Sequence, residues 1–329
     1  MEEIRWGILG CGNVTEVKSG PAFRKLPFSS VVAVMRRDGA MAADYAERHG
    51  VGRWYDSADG LINDPEVNAV YIATLPASHC ELALEVAAAG KPCYVEKPMA
   101  RNAAECQRMV DAFATANLPL FVAYYRRGLP HFTEVKSMID GGRFGELLSV
   151  HYRYSCGQQL GGAPDAWRFQ PEISGGGLFW DLGSHALDLF DWWLGPLGSL
   201  QGHALKRSGA SPVEEIVAMS AVSGTGISLA ADWNFISRYD RDRFELEFEN
   251  ARVTGSVFGP MELRIETGVG EMHVLSYPQP ENIQSGLISN IVASLRTGAP
   301  ALSTGAIAAR TNAVIDQVAV FNNRMILRP

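Results

Sequence analysis

Ile4-Arg5-Trp6-Gly7-Ile8-Leu9-Gly10-Cys11-Gly12-Asn13-Val14-Thr15 is the stretch that decides the fold. Its first six residues read as an apolar strand, and two glycines follow at once. Glycine carries no Cβ, so Gly10 and Gly12 let the chain turn sharply and let a pyrophosphate come close to the backbone. The helical pattern that follows offers the N–H groups of its first residues, Asn13 and Val14, to such an anion. The place of a usual third glycine is taken by Thr15. A G-x-G-x-x-G pattern is weak alone and gains meaning from standing between a strand and a helix. The competing reading is an ordinary tight turn.

Outward from this loop, strand-like runs at 4–9, 31–35, 69–73, 92–95 and 119–123 alternate with helical patterns at 40–49, 79–89 and 103–116. Gly50 and Gly90 are good helix stops. Such alternation predicts an α/β domain, a doubly wound parallel sheet with helices on both faces. Its strands should be apolar throughout, as Val31-Val32-Ala33-Val34 is. The second strand ends in Met35-Arg36-Arg37-Asp38, where an acidic residue often takes the ribose hydroxyls. Arg36 stands there instead. A guanidinium pairs with a 2′-phosphate and stacks on adenine, so Arg36 with Arg37 favours NADP over NAD. Asp38 keeps NAD open, and a solvated basic loop is the competing reading.

The texture changes near residue 124. A domain boundary is expected there, with 1–123 binding the dinucleotide and 124–329 binding substrate and mediating oligomers. In the second part a helix is expected at 130–140, a strand at 147–155, and a long helical stretch from the cluster Gly175-Gly176-Gly177 to Leu194. Strand-like runs at 216–222, 227–233, 244–248, 252–257 and 262–266 succeed one another closely, which predicts antiparallel or mixed pairing. Helices near 284–295 and 304–321 end the chain. The second domain is therefore expected to be α+β with one open sheet.

Two places carry chemistry. Glu96-Lys97-Pro98 ends the fourth strand-like run, and ligands of open α/β sheets bind beyond the carboxyl ends of strands. An ammonium there polarises a carbonyl or stabilises an alkoxide. Pro98 restricts the backbone of Lys97 to extended geometry. The other place is the helical run around Asp181 and His185. At about 100° per residue, Asp181, His185 and Asp188 fall within roughly 60° of one another. Asp181 and His185, four apart, are neighbours on one helix face and can touch. Imidazole titrates near neutral pH and suits proton exchange with a hydroxyl. The competing reading is an ordinary amphipathic helix, with Ser184 and Asp191 completing its polar stripe. Tyr124, Arg126 and Gln158 are weaker candidates for a pocket.

Composition narrows the function. A chain of 329 residues with 47% hydrophobic and 20% charged residues suits two globular domains. The net charge is −7 and lysines and arginines form no cluster, which argues against nucleic acid. Cys11, Cys80, Cys93, Cys106 and Cys156 form no C-x-x-C pair, so a reducing compartment, the cytoplasm, is expected and no metal site is. The start Met-Glu-Glu has no basic, apolar leader, and no apolar run approaches about 18 residues, so no membrane association is expected.

Together these marks resemble the glucose–fructose oxidoreductase/inositol dehydrogenase/rhizopine-catabolism group, Gfo/Idh/MocA. They are the Gly10-Cys11-Gly12 loop, Thr74-Leu75-Pro76 followed by His79, Glu96-Lys97-Pro98, Trp167-Arg168, and the glycine cluster with Asp181 and His185. The resemblance spans essentially the whole chain. It implies a Rossmann domain and a sheet domain that often forms dimers or tetramers. It implies that Lys97, Asp181 and His185 line the substrate site beside the nicotinamide. Thr74, Leu75, Pro76 and His79 match positions near the cofactor, Glu96 a contact to the nicotinamide ribose, and Trp167 and Arg168 its edge. The implied activity is hydride transfer between NADP(H), or NAD, and a sugar, cyclitol or related keto or hydroxy compound. Two alternatives share the fold: an NAD-dependent glycosidase-like enzyme that works by transient oxidation, and a non-catalytic NADP-sensing regulator. A regulator is expected to lose the catalytic groups, which are all present here.

Overall fold

The computed structural model describes residues 1–156, 166–207, 211–268 and 270–320. They form two compact units, Met1–Leu129 with Pro280–Ala309, and Pro130–Gln279 with the chain from Arg310 on.

The first unit is a Rossmann sheet. In chain order it holds β1 (Ile4–Leu9), α1 (Asn13–Val17), α2 (Gly20–Lys25), β2 (Ser29–Met35), α3 (Gly39–His49), β3 (Arg53–Tyr55), α4 (Ala58–Ile62), β4 (Ala69–Ile72), α5 (His79–Ala88), β5 (Cys93–Val95), α6 (Ala103–Thr115) and β6 (Leu120–Val122). The sheet order is β3-β2-β1-β4-β5-β6, all parallel. Both faces are covered, so β4, β5 and β6 are buried at every position. One face packs Leu9, Ile72, Val95, Met109 and Phe113; the other packs Trp6, Phe23, Tyr71 and Tyr94. The sequence reading misses β3. It is a three-residue edge strand with two exposed residues, and so lacks the apolar run that marks the others. Gly50 and Gly90 stop α3 and α5 in left-handed backbone, as expected.

The second unit holds α7 (Pro130–Asp140), β7 (Leu147–Ser155), α8 (Pro171–Ser174), α9 (Ser184–Leu194), β8 (Leu197–Leu205), β9 (Ile216–Ser223), β10 (Ser228–Asn234), β11 (Arg241–Phe248), β12 (Ala251–Gly255), β13 (Glu262–Thr267) and β14 (Met272–Ser276). One eight-stranded sheet runs β14-β13-β12-β11-β7-β10-β9-β8. Only the central β7–β10 pair is parallel, so the sheet is mixed. Along β9 and β10 buried and exposed positions alternate, which leaves one face covered and one open.

The chain then crosses back. Helix α10 (Ser285–Thr297) belongs to the first unit, where Leu287, Ile288, Ile291 and Val292 join the Trp6 core. Gly128 and Gly286 touch so closely that a Cβ on Gly286 would lie 2.3 Å from the Gly128 carbonyl oxygen. The expected single boundary near 123 therefore does not describe these units: the first runs on to Leu129 and takes back residues 280–309. An apolar stripe says that a helix is buried, not which core buries it. The last helix, α11 (Gly305–Val320), begins in the first unit and ends in the second.

Candidate active site

The glycine loop is built by hydrogen bonds of its own. Gly10 N–H and Cys11 N–H both donate to the Met35 carbonyl at the end of β2. Gly10 has φ +89°, and a Cβ there would lie 2.7 Å from Thr74 Cγ2. Thr15 is fully buried, and its hydroxyl accepts from Gly12 N–H at 2.9 Å and donates to Gly12 O at 2.8 Å. The missing third glycine is thereby explained. A close backbone approach occurs at Gly20, whose Cβ would fall 2.1 Å from the Thr15 carbonyl oxygen. That carbonyl also accepts from Tyr45 Oη. The helix expected after the loop breaks after five residues, at Val17, and α2 starts anew.

Around Gly12 there is room for a ligand. A Cβ there would meet nothing nearer than the Gly10 carbonyl oxygen at 3.9 Å. The cradle, with the exposed Asn13 and half-buried Val14 beside it, fits a pyrophosphate. Arg36 is half-buried and donates from Nη1 to the Cys11 carbonyl at 3.4 Å. Arg37 is exposed. Asp38 is spent locally: its carboxylate caps α3 by accepting from Met41 N–H.

Beyond β4, Thr74 is half-buried, Leu75 exposed and Pro76 buried at the start of a short turn. His79 is fully buried, with Nε2 3.0 Å from the Thr74 carbonyl and Nδ1 3.1 Å from the Pro98 carbonyl. Burial pulls its pKa below the ordinary value, against the two carbonyls. Each ring nitrogen thus faces a backbone carbonyl, the neutral ring donating to one of the two, and the ring sits between the β4 loop and the β5 loop. Lys97 is half-buried two residues past β5, and its bond to Pro98 is cis.

Glu96, expected at the nicotinamide ribose, is also the hub of a buried network. One carboxylate oxygen accepts from Tyr71 Oη at 2.6 Å and Gln284 Nε2 at 2.9 Å; the other accepts from Lys97 N–H at 3.2 Å. Tyr94 Oη donates to Gln284 Oε1. Gln284 escapes sequence reading because it arrives from 188 residues downstream.

In the second unit a helical stretch follows the glycine cluster and runs to Leu194, as expected, but it opens with a π-turn. Gly175 ends the short α8, and a π-turn over Phe179–Gly183 leads into α9. The glycines make room: a Cβ on Gly176 would lie 2.1 Å from the Trp180 ring, and one on Gly183 2.3 Å from Phe179. Asp181 lies in the π-turn and His185 in the first turn of α9. Arg168 Nε donates to Asp181 Oδ2 at 2.6 Å, with its guanidinium 4.4 Å from the Trp167 ring centroid. The pair expected at the cofactor edge therefore holds the candidate carboxylate. Phe258 meets the His185 ring edge-on at 6.1 Å. Its loop is fixed by Asp242, which accepts from the N–H groups of Val257, Phe258 and Gly259. Phe258 left no mark in the sequence.

The competing amphipathic reading of this helix fails on burial. Asp181, Ser184, His185, Asp188 and Asp191 are all at most 9% exposed, so the polar stripe is no solvated face. Asp191 is structural, paired through both oxygens with Arg310 of α11. Tyr124 and Arg126 are buried in the first unit, and Gln158 lies outside the described residues.

Two family models match the chain: the oxidoreductase family with an NAD-binding Rossmann fold over residues 4–124, and the GFO/IDH/MocA C-terminal domain over 132–254. Oxidoreductase P35 of Formosa agariphila is 36% identical over 292 residues, 88% of this chain and 90% of that one. The chain belongs to the Gfo/Idh/MocA oxidoreductase family. Inositol 2-dehydrogenase 2 of Saccharopolyspora erythraea is 32% identical over 205 residues, 62% of this chain and 58% of that one. The fold of levoglucosan dehydrogenase, solved with NADH and levoglucosan, superposes with a TM-score of 0.84 at 21% identity over 97% of this chain and 98% of that one. As a Gfo/Idh/MocA member the protein is an oxidoreductase that acts on alcohol and carbonyl groups. No helix among its described residues is long and apolar enough to cross a membrane.

Proposed function

We propose that this Gfo/Idh/MocA member exchanges a hydride between NADP(H) and a sugar, cyclitol or related keto or hydroxy compound. The observation that carries the cofactor choice is Arg36. It is half-buried at the end of β2, reaches the glycine loop, and stands where a ribose-binding carboxylate is absent. Asp38, the only nearby acid of that stretch, already caps α3. The substrate class is supported by relatives whose names carry inositol and levoglucosan.

When bound, the nicotinamide supplies the hydride chemistry. Gly10, Gly12, Asn13 and Val14 hold its pyrophosphate, Arg36 and Arg37 the adenosine phosphate, and Thr74, Leu75 and Pro76 the nicotinamide half. Lys97 stabilises the developing oxyanion. In the reducing direction His185 gives the proton to the carbonyl oxygen, and Asp181, held by Arg168, orients the imidazole or a substrate hydroxyl. Support for a homodimer or homotetramer comes from the open sheet face, where the small side chains of Ala218 and Ala230 and the apolar Val222 are exposed. The five cysteines, all buried thiols, support a reducing compartment.

Titrating the purified protein with NADPH and NADH by cofactor fluorescence tests this reading. NADPH should bind at least tenfold more tightly and exchange freely, with turnover of a keto sugar. Equal or preferential NADH binding overturns the role of Arg36. Copurified NAD that never exchanges moves the protein to the glycosidase-like alternative, and absence of any turnover with a copurifying partner moves it to the regulator.

A further inference from the structure

The root of the segment bearing Asp181 and His185 is held by a carboxylate so far without a role. Glu214 precedes β9 and is 8% exposed. Its Oε1 accepts from Gly177 N–H at 3.0 Å and Phe179 N–H at 2.9 Å, and its Oε2 also accepts from Gly177 N–H at 3.0 Å.

The first N–H groups of a helix lack partners within it and are usually taken by a Ser, Thr, Asp or Asn at the cap. Here the cap residue of the π-turn is Leu178, with no side-chain bond, and three glycines precede it. Glu214 does the capping from 35 and 37 residues downstream. The approach depends on Gly177, since a Cβ there would lie 2.8 Å from Glu214 Oε1 and 2.7 Å from Val213 Cγ2. Gly177 is also gripped on its other side, where its carbonyl accepts from Asp181 N–H. One line of contacts therefore runs from the Glu214 carboxylate through the Gly177 peptide groups to the backbone of Asp181.

We infer that Glu214 is a positioning residue of the active site: it sets the start of the π-turn and so the placement of Asp181 and, one turn on, His185. The inference rests on the proposed roles of those two residues. Burial pushes the Glu214 carboxyl up to about 7, opposed by the Gly177 and Phe179 N–H groups and by Lys206. Holding so poorly solvated an acid costs stability that a role in placing catalytic groups accounts for.

The test is made on the full chain with its cofactor, and reads both turnover and amide hydrogen exchange over residues 175–185. Glu214→Ala should lower kcat tenfold to a hundredfold, leave NADPH affinity within twofold, and speed exchange in that segment at least tenfold. Glu214→Gln, whose one oxygen still reaches both N–H groups, should recover kcat to within about fivefold of wild type. Gly177→Ala should mimic Glu214→Ala, and the double variant should be no worse than the poorer single one, because both break the same contact. Should Glu214→Ala not fold, Glu214→Gln alone should lower kcat about threefold at unchanged NADPH affinity. The inference is overturned by wild-type exchange and kcat in Glu214→Ala, by additive losses in the double variant, or by kcat and NADPH affinity falling together. Hydrogen exchange separates the readings: an idle wild type with a Glu214-dependent segment sinks the catalytic proposal and leaves the capping intact.

Discussion

The two glycine clusters of this protein look alike in sequence and solve opposite problems. Around Gly10-Cys11-Gly12 the backbone groups are satisfied from close at hand, by Thr15 and by Met35 of the neighbouring strand, and space is left over at Gly12. Around Gly175-Gly176-Gly177 the space is consumed by the protein itself, by the Trp180 ring and by the carboxylate of Glu214. The first cluster keeps room for a ligand; the second removes room so that a buried turn can be packed. The flanking acids differ in the same sense. Glu16 of α1 is held down to about 2 by the Arg48 guanidinium and then by His49, whereas Glu214 is pushed up to about 7 by burial.

The largest test concerns Lys97, the proposed oxyanion-stabilising group. Lys97→Ala should lower kcat by a factor of about 10² to 10³, the range for loss of one oxyanion-stabilising group. NADPH affinity should stay within a few-fold, read by fluorescence titration. Near-normal turnover would remove Lys97 from the mechanism.

Next in size is the cofactor end of the first loop. Arg36→Ala should cost NADPH about tenfold to a hundredfold in affinity, about 1.4 to 2.8 kcal/mol, and leave NADH nearly unchanged. A parallel loss for both cofactors would make Arg36 a loop anchor, held at Cys11 O, rather than a phosphate contact.

The glycines themselves give the sharpest contrast. Gly12→Ala should fold with an unchanged Tm, because its φ of −160° suits any residue and its Cβ meets open space, yet lose NADPH affinity. Gly176→Ala should lower stability by about 1–3 kcal/mol, the cost of overpacking a buried site, read as a fall in Tm. The comparison breaks if the two variants exchange phenotypes.

The smallest effects are in pH. The lowered pKa of Glu16 is stability present above the ordinary carboxylate pKa and lost as pH falls toward about 2. The stability gap between wild type and Glu16→Gln should therefore close as a denaturation series is carried from pH 5 to pH 2. Glu214 has the opposite sign: its raised pKa contributes stability that is full below the ordinary value and is lost as pH rises through about 7. Glu214→Gln should gain Tm on the wild type from pH 5 to pH 7 and hold that gain above it. A constant gap in either series would contradict the assigned cause.

Much of the first unit is legible from sequence because its parts are local. Strand, glycine turn, helix stop and strand-end lysine are each decided by neighbours a few residues away. The sequence reading goes wrong where a partner arrives from afar. Gln284 reaches Glu96 across 188 residues, and Glu214 reaches Gly177 across 37. Glycine beside a helical pattern marks its border, as the cluster does here, but nothing in the periodicity separates a π-turn from an α-helix or reveals the aromatic rings that fill the missing side chains. Edge strand β3 leaves no mark because it has no apolar run, and the apolar stripe of α10 does not say that it packs on the first unit, because amphipathicity carries no address.

By itself, then, the sequence determined the Rossmann unit, the mixed-sheet unit, the family, and the residues whose chemistry stands out by type and spacing. Only the tertiary structure decided which groups those residues lean on: that Thr15 closes the loop in place of a glycine, that Arg168 pairs with Asp181, and that Glu214 caps the turn beneath it. The reason is physical. Backbone conformation and burial pattern follow from interactions a few residues apart, which a sequence displays directly, whereas a buried polar group must find its partner through space, and one chain offers many partners of the right chemistry.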